Sequence, residues 1–168
     1  MKAVRTLVLV IAFLATCAPI AHLLELPSKL SLDGPLWLSV QQHLYRGWNF
    51  LSGPIELVAL ICCLGLFFLS GRDREHRNAY LIAAACYLSM ILYFYLFNDW
   101  VNHALRHWTA ATLPANWTAY RLKWETGHAL AALFSVIAFV TLLQARIREA
   151  AAARAERPPD IALTHPAE

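Results

Sequence analysis

The chain has 168 residues, 59% of them hydrophobic and only 15% charged, with a mean hydropathy of +0.47 and a formal net charge of +3. A soluble domain of this length carries about a quarter charged residues, so an ordinary soluble globule is excluded. No basic stripe with interleaved aromatics occurs, which excludes nucleic acid as a partner.

Four apolar segments, at residues 4–24, 50–70, 79–100 and 122–145, account for the excess. Each has about 20 residues or more, enough at ~1.5 Å per residue to cross a ~30 Å hydrocarbon core. The sequence therefore predicts an all-α, four-helix transmembrane bundle over residues 1–149, with the lipid bilayer as its first partner.

In chain order, the first segment follows Met1-Lys2-Ala3-Val4-Arg5 and has the look of a secretory signal. Leu14-Ala15-Thr16-Cys17 is a poor lipobox, however, and the apolar run continues through Ile20, Leu23 and Leu24. An uncleaved first span is expected. The connection after it holds Asp33-Gly34-Pro35, a turn and helix start. Leu36, Val40 and Leu44 then recur at four-residue steps, with Trp37 and Tyr45 close by, predicting a short amphipathic helix lying over the outer mouth of the bundle. Ser70–Asn78 is a tight charged turn that makes spans two and three antiparallel neighbours. Trp108 and Trp117 in the next connection suit interfacial anchoring. Residues 150–168, rich in Ala, Arg and Pro, briefly extend the last helix and are expected to be a largely disordered tail.

Lys2, Arg5, Arg72, Arg74, Arg77, Arg146, Arg148, Arg154 and Arg157 fall on one side, against Lys29, Arg46, Arg106, Arg121 and Lys123 on the other. This bias predicts both termini in the cytoplasm and the two long connections outside, as in a bacterial inner membrane protein. Cys17, Cys62, Cys63 and Cys86 show no metal-binding spacing and read as buried free thiols.

The polar residues within the spans gather toward the predicted outer end. His22 and Glu25 close the first span, Glu56 opens the second, Asn98, Asp99, Asn102 and His103 end the third, and Glu125 and His128 begin the fourth. His22 with Glu25, Asp99 with His103, and Glu125 with His128 are spaced so that each pair shares a helix face. Ionised groups in hydrocarbon turn inward and pair, so these sets are expected to converge in one pocket.

Three chemistries suit such a pocket. His22, Glu25, Glu56, His103, Glu125 and His128 are metal-ligand types for iron or copper, and Glu125-x-x-His128 matches one element of di-iron bundles. Haem ligation by two histidines is less natural beside carboxylates. In a cofactor-free site, Glu125 or Asp99 would serve as general base, with His128 or Arg121 stabilising the developing anion.

Plainer roles stay open for each. Glu56 suits the third position of a helix capped by Gly53 with Pro54 first, and Glu125 suits a pair with Arg121 one turn earlier. Asp99 and Asn102 suit interfacial positions, His103 and His107 suit headgroup contacts, and His43 suits a loop. His76 and His165 are expected in solvent.

Phe97-Asn98-Asp99-Trp100-Val101-Asn102, followed by Asn116-Trp117-Thr118-Ala119-Tyr120-Arg121-Leu122-Lys123-Trp124-Glu125, resembles the anthrone-oxygenase-like family of small four-span membrane proteins. The resemblance covers about forty residues together with chain length and span count. It implies a four-helix membrane bundle and cofactor-independent oxygenation of a polycyclic phenolic substrate. It carries over onto Asn102, Trp117, Arg121 and Trp124 as substrate-side residues. The Glu125–His128 and His22–Glu25 pairs lie outside that pattern.

The resulting expectation is a membrane oxidoreductase acting on an apolar, membrane-partitioned small molecule. The alternative is a non-enzymatic binding, assembly or transport subunit whose polar cluster fastens the helices. A transporter of its own is disfavoured, because the spans read as unbroken and no inverted repeat occurs. Oligomeric state is left open, a homo-oligomer included.

Overall fold

The computed structural model describes residues 2–156 except Arg72, with the backbone alone at Asn49. The described residues contain helices and no strand. Helix α1 spans Lys2–Ser31, α2 Gly34–His43, α3 Ser52–Leu69, α4 Arg74–Tyr93, α5 Trp100–Leu105 and α6 Trp117–Ala155. Phe94–Asp99 is a π-helical stretch that joins α4 to α5. Four helices are long and apolar enough to cross a membrane: α1, α3, α6, and the continuous Arg74–Leu105 run. The chain is a multi-pass membrane protein. Of the predicted tail, 150–155 belongs to α6, and Pro158, Pro159 and His165 lie outside the described residues.

The helices form a ring in which α3 packs on α4, α4 on α6, and α6 on α1, with a sparser α1–α3 contact closing it. The reason lies in small side chains. Ala12 and Ala15 of α1, Ala59 of α3, Ala83 and Ala84 of α4, and Ala138 of α6 are buried in one core with Tyr87 and Met90. In a bilayer no hydrophobic gain drives helices together, so close backbone approach at such residues does the packing. Leu7, Phe13, Ile61, Phe68, Leu81 and Leu133 are exposed and form the lipid-facing side.

Each end is closed differently. At the terminal end Gly71, with φ 54°, makes the left-handed turn after α3, and Asp73 caps α4 by accepting from His76 N at 3.2 Å. Arg5 of α1 pairs with Glu149 of α6 at 3.0 Å. His76, expected in solvent, is instead buried here, its Nδ1 2.7 Å from Asp73.

At the opposite, capped end, α2 lies over the bundle as expected, its N-terminus capped by Asp33 accepting from Leu36 N at 2.9 Å. Only part of the predicted apolar set is buried. Trp37, Leu38 and Gln41 point inward, whereas Leu36 and Leu44 are exposed and Val40 is half-buried. Trp37 packs against Trp117 with the rings tilted by 35°, and the core beneath holds Tyr45, Val101, Leu105 and Trp124. Trp108 and Trp117 are packed into this roof rather than free at an interface.

Two spans carry local irregularities while staying helical throughout. Pro19 and Pro27 lie inside the continuous α1, and Phe94–Asp99 widens to a π-helix within the third span. A proline removes one backbone N–H and crowds the preceding turn, and a wider π turn changes which residue faces inward. Cys17 is exposed, whereas Cys63 and Cys86 are buried, and all four cysteines are free thiols.

Candidate functional site

α1 continues two turns past its predicted end, and this places Lys29 inside the capped end. The extension has identifiable causes. Arg121 of α6 donates to the carbonyls of Lys29 at 3.3 Å and Leu32 at 2.9 Å, satisfying acceptors that a helix C-terminus leaves free. Arg121 also lies 4.6 Å from the centre of the Trp117 ring. The corresponding clamp on α5 is Gln42, whose amide donates to the carbonyls of Leu105 at 2.7 Å and Trp108 at 2.9 Å. Arg121, expected as an anion stabiliser, is thus engaged as a helix clamp.

Lys29 is the centre of the polar cluster. Its Nζ donates to Glu125 Oε2 at 2.8 Å, with the side chains 4% and 3% exposed respectively. Glu25 Oε2 lies 4.0 Å from the same ammonium, and His22 Nδ1 lies 3.5 Å away. The rings of Trp124 and Tyr45 flank it, their centres 4.9 and 5.7 Å from Nζ. Tyr45 donates its hydroxyl to Glu25 Oε2 at 2.5 Å. Burial, then that hydrogen bond and the carboxylates of Glu25 and Glu125, push the Tyr45 phenol above its ordinary value, so it stays a donor at neutral pH. Glu125 therefore pairs with Lys29, not with Arg121. Its other oxygen, Oε1, is buried without a hydrogen-bond partner among the described residues.

The metal-ligand grouping expected of His22, Glu25, Glu56, His103, Glu125 and His128 does not assemble. Among the described residues, no set of three or more His, Cys, Asp and Glu side chains is placed to hold an ion. The physical reason is the lysine: the positive charge that gathers Glu25 and Glu125 is an ammonium of the chain itself. Asp99 and His103 also stay apart from the cluster. They face each other at 3.9 Å with side chains 36% and 64% exposed.

The residue taking the inward position is Asn98, the neighbour of Asp99 within the π-helical stretch. Its amide donates to the carbonyl of Trp124 at 2.9 Å, tying the third span to α6. Gly127 makes this approach possible: a Cβ there would stand 2.7 Å from Asn98 Cγ and 2.9 Å from Phe97 Cβ. One turn on, Asn102 Oδ1 accepts from Trp124 Nε1 at 2.9 Å. Asn102, Trp117, Arg121 and Trp124, singled out by resemblance, are thereby parts of one roof-and-clamp assembly.

Beneath the roof lies a cavity of about 530 Å³ bounded by α1, α3, the third span and α6. It falls within the ~300–1,000 Å³ typical of small-molecule sites. Its walls are mostly apolar, from Pro19, Met90, Ile91 and Phe94 among others, and the polar groups on them are few: His22, Glu56, Asn98 and His128 stand out. His22 and His128 are in ring contact, centres 4.1 Å apart. Glu56 does not cap α3. The helix starts at Ser52 behind Leu51, one residue before the expected Gly53 cap, and no acidic residue falls in its first turn. Leu57 and Tyr95 line the cavity while 48% and 63% exposed, so the cavity opens sideways between spans toward the lipid-facing surface.

His22, Glu56 and His128, singled out in the sequence, line the cavity. Lys29 falls in the connection after the predicted first span, yet it lies within α1. Asn98 is among the polar residues ending the third span but not among the candidate site residues. The available signal for Lys29 was its seven-residue spacing from His22, two turns along one helix face.

Residues 42–141 match the model of the anthrone oxygenase family. No curated protein and no solved structure matches the chain.

Proposed function

Because the chain belongs to the anthrone oxygenase family, we propose that it is a membrane-embedded oxygenase-like enzyme whose site is the cavity beneath the roof. The observation that carries this reading is the wall itself: Glu56, His22 and His128 line one mostly apolar, laterally open space. A substrate that partitions into lipid enters through the Leu57–Tyr95 side without crossing water. The bias of basic residues supports placing the roof on the outer face, with both termini in the cytoplasm.

The chemistry suited to these groups begins with proton removal. A flat aromatic ketone with an acidic CH2 beside the ring system loses a proton from carbon to the Glu56 carboxylate. The charge left behind spreads onto the ketone oxygen, where an imidazole N–H from His22 or His128 holds it. Molecular oxygen is the co-reactant. The carbanion adds to O2, and the resulting peroxide takes up the proton. Loss of the second C–H proton with cleavage of the O–O bond then expels water and leaves a carbonyl. The balance is one CH2 and one O2 giving one C=O and one H2O, the substrate carbon being oxidised and dioxygen reduced.

The competing reading is a non-enzymatic membrane subunit, with the polar groups acting only as helix fasteners. It is favoured by the engagement of Lys29, Glu125 and Arg121 with the chain's own groups. Glu56 separates the two readings, because it belongs to the cavity and not to the fastening cluster. With the protein in lipid nanodiscs and anthrone as probe, oxygen uptake and quinone absorbance are followed. Glu56→Gln is expected to lower kcat by about 10²–10⁴-fold with unchanged thermal stability. No oxygen-dependent turnover by the unaltered protein, or full turnover by Glu56→Gln, overturns the enzymatic reading.

A further inference from the structure

We propose that Lys29 is a positioning residue that fixes His22 as its Nε2–H tautomer, so that the cavity wall presents an N–H donor to the substrate oxyanion. The role of the donor rests on the oxygenase-like reading; the control of the tautomer rests on geometry alone.

An ammonium has three donors and no acceptor, so the ring nitrogen it faces must offer a lone pair. Lys29 Nζ faces His22 Nδ1 at 3.5 Å. In a neutral imidazole one nitrogen accepts and the other carries the proton, which puts the proton of His22 on Nε2. The ring has little freedom to turn. Its centre lies 4.6 Å from Tyr45, 4.8 Å from Trp48, 5.1 Å from Trp124 and 4.1 Å from His128. Nδ1 faces the charged cluster, and the same ring lines the cavity, so the opposite edge is the one available to a substrate.

A second group competes for Nδ1. Glu25 Oε2 lies 3.8 Å from it, and a carboxylate there would draw the proton onto Nδ1. The other charged groups around the cluster are Glu125, which accepts from Lys29 at 2.8 Å, and Arg121, which is bound to carbonyls at the end of α1. Lys29 thus both donates to Nδ1 and holds the negative charge away from it. Without the ammonium, Glu25 becomes the nearest charged partner and the tautomer reverses, leaving Nε2 unable to donate.

The experiment uses the full chain in lipid nanodiscs with ¹⁵N-labelled histidine, reading tautomers from ¹⁵N shifts and two-bond couplings. His22 is identified by the signal lost in His22→Gln. Lys29→Met is combined with Glu125→Gln so that no lone carboxylate is left buried, and Lys29→Arg serves as the conservative variant. The unaltered protein and Lys29→Arg should show Nε2–H, and the double variant Nδ1–H. A parallel assay with anthrone should give a kcat loss of about 10²-fold in the double variant. KM should change little, and Lys29→Arg should recover most of the rate. Nδ1–H or a charged ring in the unaltered protein, an unchanged tautomer in the double variant, or a switched tautomer with unchanged kcat overturns the proposal. The tautomer is read without turnover, so an inactive protein that switches as expected counts against the oxygenase reading and still supports control of His22 by Lys29.

Discussion

Removing Lys29 alone from the Lys29–Glu125 pair should damage the fold more than removing both members. The ammonium and carboxylate meet at 2.8 Å with side chains only 4% and 3% exposed, so neither is solvated when its partner is lost. Lys29→Met strands the Glu125 carboxylate, whose Oε1 is already without a partner among the described residues. Loss of one partner of such a pair costs about 3–5 kcal/mol. Glu125→Gln is milder. The amide oxygen still accepts from Lys29, Glu25 lies 4.0 Å from the ammonium, and the Trp124 ring flanks it, so a loss of about 1–2 kcal/mol is expected. The double change removes both buried charges and should cost no more than about 2 kcal/mol, because the pair's own desolvation penalty disappears with it. The coupling energy is then about 3 kcal/mol, at the upper end of values for neighbouring groups. Reversible unfolding of the protein and the variants in mixed micelles measures it. Additive singles, with coupling below about 0.5 kcal/mol, would mean that the two groups do not meet and that the account of the capped end is wrong.

Gly127→Ala should destabilise by about 1–3 kcal/mol through overpacking against Asn98 and Phe97, whereas Gly65→Ala, with nothing within 4 Å of its added Cβ, should be neutral or slightly stabilising; thermal melts of the two distinguish a tight contact from a general effect. Arg121→Met should fray the end of α1 by freeing the carbonyls of Lys29 and Leu32, seen as faster amide exchange over residues 26–31, while Arg121→Lys should restore only part of the protection. A reporter joined after Glu168 should behave as cytoplasmic and one inserted near Asp33 as periplasmic; the reverse pattern refutes the orientation drawn from the basic residues.

The spans were legible because their signal is additive: about twenty apolar residues announce themselves whatever surrounds them. What escaped depends on partners distant in the chain. The end of α1 is set by Arg121, 92 residues after Lys29 and 89 after Leu32. No local rule reports a carbonyl clamp from so far away, so the apolar run alone ends the predicted span near residue 24. The exchange of Asp99 for Asn98 has a geometric cause, since a six-residue π-helical stretch breaks the 3.6-residue periodicity on which face assignments rest. Of the apolar residues expected on α2 and just after it, Trp37 and Tyr45 are buried while Leu36 and Leu44 stay exposed. Trp37 offered more area to bury and, with Trp117 beneath it, took the inward side.

The division between resemblance and chemistry follows from the same geometry. Asn102, Trp117, Arg121 and Trp124 bind one another's elements: Trp124 donates to Asn102, Arg121 lies over Trp117 and closes α1. Such residues hold the roof over the cavity whatever the cavity encloses. The groups able to move a proton lie lower, on Glu56, His22 and His128. Glu56 and His128 fall within the matched residues 42–141, whereas His22, Glu25 and Lys29 lie on α1, outside the match. The shared elements supply three walls and the base of the proposed reaction, and α1 supplies the wall that bears His22 and the charge behind it. A change at Pro19 on the α1 wall should therefore alter which substrate turns over while leaving the roof intact, a change at His22 should lower kcat, and changes at Trp124 or Asn102 should loosen the roof for every substrate alike.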